Sequence, residues 1–311
     1  MGKTAYIRPG SIGDVVMSLN YAKEIAKKEG EIFCSDAIHS MLEEFFCGYA
    51  CLNLRKLSEY KSSNYQKTVN LIGYPIDENY PHKPMKKHLL EYFAKEFQVE
   101  TNYDGLKSSM PPLPNQLRRE TRPQHVTIQV KTGWSVYKEW WGWENLVEMI
   151  KSQINDLKIC QIGGPDDPII ENVDYNLCGQ SFTTNLSAQA WAVLHIGLDS
   201  VFNHTTNIQW IGKGRTPAVI LFGSTQASAS GYSNNENISL NLECQPCFRE
   251  NPKISRQPLG LCVNPPQQTY EKPRHACMAN IYPEMVLGKA MAKLKRSQAF
   301  KNYLGDKDAR N

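Results

Sequence analysis

The chain has 311 residues, 41% of them hydrophobic and 21% charged, with a net charge of +4. That length suits two domains of average size, with apolar residues enough for two cores. The small charge gives no argument for nucleic acid or an anionic membrane, no stretch approaches the roughly 18 apolar residues of a spanning helix, and nine cysteines without a signal-like run point to a reducing, cytoplasmic setting.

Strands and helices alternate twice along the chain. Residues 4–8 read as a strand ending in the loop Pro9-Gly10-Ser11-Ile12-Gly13. Asp14 then opens a helix to about residue 29, with Val15, Val16, Leu19, Ala22, Ile25 and Ala26 at helical spacing. A strand at 31–35, a helix at 38–47, a strand at 67–73 and a helix at 86–97 follow. Such alternation needs crossover connections and a parallel sheet. From about 99 to 123 the pattern stops in a proline-rich polar segment that reads as an extended linker.

The second half repeats the scheme, with strands at 125–132, 157–163, 196–198, 217–223 and 237–242 and helices at 143–155, 188–195 and 282–295. The expected organisation is a Rossmann-like domain over 1–120, a second over 121–296, and a tail over 297–311 that can pack back on the first. In paired sheets of this type, ligands bind at the carboxyl ends of strands and in the cleft between domains. The glycines and polar residues of this sequence fall at those ends.

Near the C-terminus stand Cys244-x-x-Cys247, then Cys262 and Cys277, each of the last two after fourteen intervening residues. The close pair is spaced as two thiolate ligands on one turn, and four sulfurs are the count a tetrahedral metal takes. The segments between them are poor in apolar residues, so the loop over 243–278 is expected to fold around one structural metal ion, iron or zinc. A closed four-thiolate site has no open position for chemistry. Two disulfides, or unrelated thiols, are the alternatives, and His275 is a weaker substitute ligand crowded by Cys277.

Six motifs in order carry a resemblance. The run IRPGSIGDVVMSL resembles the opening of the bacterial heptosyltransferases of glycosyltransferase family nine, a strand, a Ser/Gly loop and Gly-Asp-Val. KEWWGWENLVEMI resembles the family's Lys-x-Trp-Pro segment, IGGPDD its Gly-Gly-Pro turn, and GLDSVFNH its Asp-Ser-Gly-Pro-x-His motif. PAVILFGST and the ending CQPCF…CMANIYPEMV are similar to its later motifs, while residues 50–120 contribute little. The cysteine spacing is most similar to the autotransporter heptosyltransferase subgroup, in which four cysteines hold iron, although this chain lacks that subgroup's extra N-terminal domain.

The resemblance implies the GT-B fold, two Rossmann-like domains facing a central cleft, and inverting transfer from a nucleotide sugar, typically ADP-heptose, without a catalytic metal. The acceptor is a hydroxyl on a lipopolysaccharide core or other glycan, or alternatively a protein serine. Inversion needs a base for the acceptor hydroxyl and positive charge or dipoles for the departing diphosphate. From position alone Asp14 reads as an N-cap; the family motif makes it the base. Ser11 and the backbone of Ile12 and Gly13 are expected to orient the acceptor or a phosphate.

Thr132, Gly133 and Lys138 are the expected diphosphate partners, with a solvated loop lysine as the plain alternative. Trp134, Trp140, Trp141 and Trp143 nearby must pack or stack on something, and either reading is open. Asp199, Ser200 and His204 complete the expected donor site, His204 reading alternatively as a satisfied core histidine. Val201 and Phe202 replace the family's glycine and proline, which limits close approach of backbone to phosphate. Gly163 and Gly164, beside Asp166, are assigned to the nucleoside.

Two further classes stay open. One is a binding or assembly module on the same fold, against which Asp14, Lys138 and Asp199 together argue. The other is a nucleic-acid protein using a zinc ribbon with Arg249, Lys253, Arg256, Lys272 and Arg274; Glu250 and Glu271 dilute those charges, so no nucleic-acid partner is expected. A homo-oligomer is left open.

Overall fold

The computed structural model describes residues 2–46, 53–75, 85–117, 125–133, 138–247 and 275–297. Its first half begins with β1 (Thr4–Ile7), α1 (Ile12–Leu19), α2 (Ala22–Lys27), β2 (Gly30–Cys34), α3 (Asp36–Phe46), β3 (Leu54–Lys56) and β4 (Lys67–Asn70). The four strands form one parallel sheet in the order β3-β2-β1-β4, with Ala5 opposite both Glu31 and Thr68. Next come α4 (Leu89–Phe97) and the two-residue β5 (Lys107–Ser108). α4 starts at a capping box, in which the His88 ring accepts from Leu90 N–H and Glu91 reaches back to the His88 N–H. Leu90, Phe93, Ala94 and Phe97, spaced three or four apart, form its buried face.

The second half runs β6 (His125–Ile128), α5 (Trp143–Gln153), β7 (Lys158–Gln161), β8 (Tyr175–Asn176), α6 (Phe182–Trp191), β9 (Leu194–Leu198), α7 (Val201–Thr205), β10 (Gln209–Trp210), β11 (Ala218–Leu221), α8 (Ala227–Ser230), β12 (Asn235–Ile238), α9 (Ala276–Ala279) and α10 (Pro283–Arg296). Six of its strands form a second parallel sheet, ordered β12-β11-β9-β6-β7-β8. β6, β9 and β11 are buried at every residue, as central strands covered on both faces are. α10 begins with Pro283 in its first turn and ends in Lys293, Lys295 and Arg296, matching charge to the helix dipole. Val286, Leu287, Ala290 and Leu294 seat it in the core with Trp140, Trp143 and Ile150.

The halves share packing. β5 pairs with β10, and the core over the first sheet takes in Leu186, Ala190, Ile208, Trp210 and Tyr232 from the second half. β5 thus falls inside the segment expected to be an extended linker; two residues of β-pairing carry too little periodicity to read from sequence.

Other elements also differ from expectation, among them β4 and β6, which close at Asn70 and Ile128 short of the expected residues 73 and 132. The single helix expected over 14–29 is two, α1 and α2. Ser18 Oγ donates back to Asp14 O at 2.9 Å, and Tyr21 turns inward to donate to Leu90 O at 2.7 Å. Such back-bonding draws on the helix's own carbonyls and bends it. The helix expected over 188–195 instead occupies Phe182–Trp191, because Ser181 caps it by accepting from Thr184 N–H, while Leu194–Leu198 are drawn between β6 and β11. The last strand closes at Ile238, short of the expected residue 242.

Candidate functional site

β6 and β9 lie side by side, and the sheet grows outward from them in opposite directions, through β7 to β8 and through β11 to β12. A reversal of this kind leaves a crevice beyond the strands' carboxyl ends. Thr132 and Gly133 follow β6 there, and Asp199 and Ser200 follow β9.

Asp199, just beyond the end of β9, is 6% exposed. Its Oδ2 takes Lys138 Nζ at 2.9 Å and Thr225 Oγ1 at 2.6 Å; its Oδ1 takes Ser230 Oγ at 3.0 Å and Asn203 Nδ2 at 3.2 Å. Burial would raise the carboxyl's pKa, but Lys138, His204 and the Thr225 hydroxyl outweigh it and hold the group ionised well below the ordinary carboxylate range. Lys138 also donates to the Asp199 main-chain oxygen at 2.9 Å. The expected phosphate lysine is therefore bound to the expected orienting carboxylate.

Ser200 is the N-cap of α7, accepting from Phe202 N–H at 3.2 Å and donating to Gln129 Oε1 at 3.1 Å. The departures at 201 and 202 have packing roles. Phe202 is buried and stacks on Phe182 with centroids 5.9 Å apart, while Val201 packs toward Gly13. His204, one turn into the helix, is buried, with Nδ1 3.0 Å from the Tyr232 hydroxyl.

The other wall comes from the first sheet. Asp14 stands in the first turn of α1 and pairs with Arg8 Nη2, while Arg8 Nη1 donates to Leu71 O at 3.1 Å. Ser11 precedes the helix at φ 59°, a conformation uncommon outside glycine, and its exposed hydroxyl does not cap the helix. Ile12 packs against the first core. Gly13 closes the gap between the halves: a Cβ there would lie 2.8 Å from His204 Cδ2 and 3.7 Å from the Val201 Cα. The absent side chain is what lets α1 and α7 touch. Asp14 and Asp199 thereby both come near His204; their carboxylates act to raise the His204 pKa, against the larger lowering by burial.

No protein-family model matches the chain, and no curated protein matches its sequence. Solved structures do. TibC, a bacterial iron-containing dodecameric glycosyltransferase from enterotoxigenic E. coli, superposes with TM-score 0.69 at 15% identity, over 96% of this chain and 79% of its own. The same protein in complex with ADP-D-beta-D-heptose gives 0.70 over 95% and 77%, also at 15% identity. A glycosyltransferase of family nine from Veillonella parvula gives 0.62 at 12% identity, over 95% of this chain and 98% of that one. The chain has the heptosyltransferase fold.

In this heptosyltransferase-like frame, the other expected site residues divide. Thr132 is buried beside the crevice and Gly133 is left-handed at φ 37° with open space around it. Gly163 and Gly164 are committed internally: the Gly163 N–H donates to Asn185 Oδ1 at 3.0 Å and the Gly164 N–H to Asp167 Oδ2 at 3.1 Å. Asp167 passes so close that a Cβ on Gly163 would overlap its carboxylate, 2.0 Å away. Trp140 and Trp143 are core residues, and Trp140 and Trp141 donate to Ile281 O and Ala279 O at 2.8 and 3.0 Å. These three indoles pack; Trp134 lies outside the described residues.

Cys244 and Cys247 flank a turn fastened to the end of β11, with Cys247 N–H donating to Ser224 O at 3.0 Å and Gln245 Nε2 to Gly223 O at 2.5 Å. Cys277 is buried in α9 against the second core. Cys262 and the basic residues Arg249, Lys253, Arg256, Lys272 and Arg274 lie outside the described residues, as do residues 298–311 of the tail. Among the described residues there is no cluster of three or more metal-ligand side chains.

Sequence reasoning missed Arg8, Gln129, Asn203, Ser230 and Tyr232. Thr225 had a signal, since it follows the buried strand in PAVILFGST. The others are ordinary polar residues whose role exists only once β9, α7 and α1 are brought together.

Proposed function

We propose that the chain is an inverting glycosyltransferase moving a sugar, ADP-heptose being the favoured donor, onto an acceptor hydroxyl. The observation that carries the reading is the meeting of the Asp14 loop with the Asp199–Lys138–His204 cluster across Gly13. A carboxylate on one wall of a cleft and a cation held by a buried carboxylate on the other are the two parts that an in-line displacement at an anomeric carbon needs. In this reading Asp14 takes the acceptor proton, with Arg8 fixing its orientation. Lys138 turns toward the diphosphate as negative charge grows there, while Asp199 keeps it placed. Residues 1–120 would hold the acceptor and 121–296 the donor. Ser11, with its strained backbone and exposed hydroxyl, would meet the acceptor.

A lipopolysaccharide core or other glycan is the favoured acceptor and a protein serine the alternative. The cysteine segment fits a structural metal by its donor chemistry: thiolates suit zinc and iron, Cys277 is buried, and the Cys244–Cys247 turn is anchored to the sheet. Such a site would pin the segment and supply no catalytic step.

Thermal unfolding against a panel of ADP-, UDP- and GDP-sugars tests the donor class, followed by sugar transfer to glycan and serine-peptide acceptors. Stabilisation by ADP-sugars with release of ADP is expected. Stabilisation by none of the panel would sink the reading.

A further inference from the structure

Tyr232 lies between α8 and β12 and is 4% exposed. Burial, then the Asp199 charge, raises its pKa, so the phenol keeps its proton. That proton is buried and must be paired. Among the described residues, the one hydrogen bond of the hydroxyl is to His204 Nδ1 at 3.0 Å. The reverse arrangement, with Nδ1–H donating to the phenol oxygen, would leave the phenol proton without an acceptor. The hydroxyl therefore donates to Nδ1, and the imidazole proton sits on Nε2. Nε2 stands 3.2 Å from the position a Gly13 Cβ would take, beside Asp14, and makes no hydrogen bond among the described residues.

We propose that Tyr232 is a positioning residue that, by occupying Nδ1, fixes His204 as the neutral Nε2–H tautomer and aims that N–H into the cleft as a hydrogen-bond donor to an oxygen of the nucleotide sugar's diphosphate. The inference rests on the donor reading above. The groups facing His204 are Asp199 at the end of β9, Asp14 on α1, Lys138 before α5, and His88 at the start of α4. Burial is the largest influence and lowers the His204 pKa, so the ring is a neutral donor rather than a cation near neutral pH. His88, whose ring lies 5.3 Å from that of Tyr232, is itself pushed by burial to about 4 and stays neutral too. A neutral N–H in a fixed direction serves throughout the pH range in which a titrating imidazole would change state.

The test reads the ring before it reads binding. Nitrogen-15 spectra of the imidazoles, with His204 assigned by His204→Gln, should show the Nε2–H tautomer at neutral pH in the free wild-type chain. Tyr232→Phe removes one hydroxyl and keeps the ring; it should shift His204 toward a tautomer mixture and raise its pKa, since the neutral form loses the donor at Nδ1. Calorimetry with ADP should show about a tenfold loss of affinity in Tyr232→Phe. His204→Gln, whose amide reaches the Nε2 position, should retain more ADP affinity than His204→Asn, whose amide reaches only Nδ1. The Nδ1–H tautomer in the wild type, or an unchanged His204 spectrum in Tyr232→Phe, would overturn the positioning. Should Tyr232→Phe fail to fold, the wild-type spectrum and the His204→Gln and His204→Asn pair decide alone. The expected tautomer in a wild type that does not bind ADP would overturn the donor reading and with it the role of the Nε2–H, leaving Tyr232 as the residue that sets the ring.

Discussion

Lys138 Nζ lies 2.9 Å from both the Oδ2 and the main-chain oxygen of Asp199, so one ammonium holds two ends of the same residue. With side chains only 13% and 6% exposed, the pair is shielded from screening by solvent. Removing one partner leaves the other charge buried, which costs about 3–5 kcal/mol in comparable pairs. Thr225, Ser230 and Asn203 still serve Asp199 in Lys138→Met, which places that variant at the lower end. Lys138→Met should also weaken donor binding and slow transfer further, because charge on the diphosphate grows toward the transition state. Denaturant unfolding and calorimetry separate the two effects; unchanged donor affinity would remove Lys138 from the phosphates.

Asp199 sets an acid limit on stability. Its folded carboxyl is held well below the unfolded value of about 3.9, against the raising effect of burial, by Lys138, His204 and Thr225. A depressed carboxyl contributes stability that is complete above the unfolded value and is lost as pH falls from there toward the folded value. Unfolding free energy should thus be insensitive to this group from about pH 5 to 7 and decline below about pH 4. Asp199→Asn should lower the plateau and flatten that decline; an equally steep decline in the variant would assign the acid sensitivity elsewhere.

Asp14→Asn should keep the fold and donor binding while lowering transfer by at least about a hundredfold, the scale of losing a general base. The amide retains one oxygen for Arg8, but the 9% exposed guanidinium loses its counter-charge, so the variant should keep the fold at reduced stability. Near-normal turnover would leave Asp14 as the ion-pair partner of Arg8 in the first turn of α1, Ser11 holding the N-cap position, and nothing more.

Gly13→Ala sets two effects against each other. Alanine is worth about 1 kcal/mol more than glycine inside a helix. The new methyl would stand 2.8 Å from His204 Cδ2, and the ring cannot swing freely because Tyr232 holds its Nδ1. The clash should win, shifting α7 or the ring, so that transfer falls while helix content holds. Wild-type transfer in Gly13→Ala would show that the two walls need not touch.

Much of the frame was legible in the chain. The buried run at 217–223 is a central strand, and the Gly-Asp-Val loop and the Asp-Ser pair sit at strand ends, because covered parallel strands are apolar within and ligand groups lie beyond their carboxyl ends. Asp14, Asp199 and His204 were singled out through the resemblance to the family's motifs, and Lys138 also by its place after a strand end; the structure brings Asp199 together with Lys138 and sets His204 against the Asp14 loop. Their mutual engagement was not legible. That Lys138 binds Asp199, that Arg8 binds Asp14 and that Tyr232 binds His204 are contacts between residues 61, 6 and 28 positions apart, set by how helices lie on sheets. The break at Asn20 and the shift of α6 were hidden for a related reason: side-chain hydrogen bonds from Ser18, Tyr21 and Ser181 override an apolar period that alone would continue.

The cysteine segment gives the last prediction. Cys244 and Cys247 are anchored to the end of β11, and Cys277 is buried where Trp140 and Trp141 fasten the following residues to the second core. Cys244, Cys247 and Cys277 form no metal-ligand cluster among the described residues, and Cys262 lies outside them, so the four-sulfur set stands as a proposal from spacing and donor chemistry. The purified chain should carry about one iron or zinc ion, the metal depending on expression conditions because tetrahedral sulfur accepts either. Serine at any one of the four cysteines should lower stability by several kcal/mol, since metal binding is also folding energy for a segment poor in apolar residues. Chelation should act on the wild type in the same direction. Molecules that stay folded should bind donor normally, because a closed thiolate site has no position open to it. Elemental analysis decides the matter first: substoichiometric metal across several preparations, with serine variants as stable as the wild type, would leave these cysteines as separate thiols.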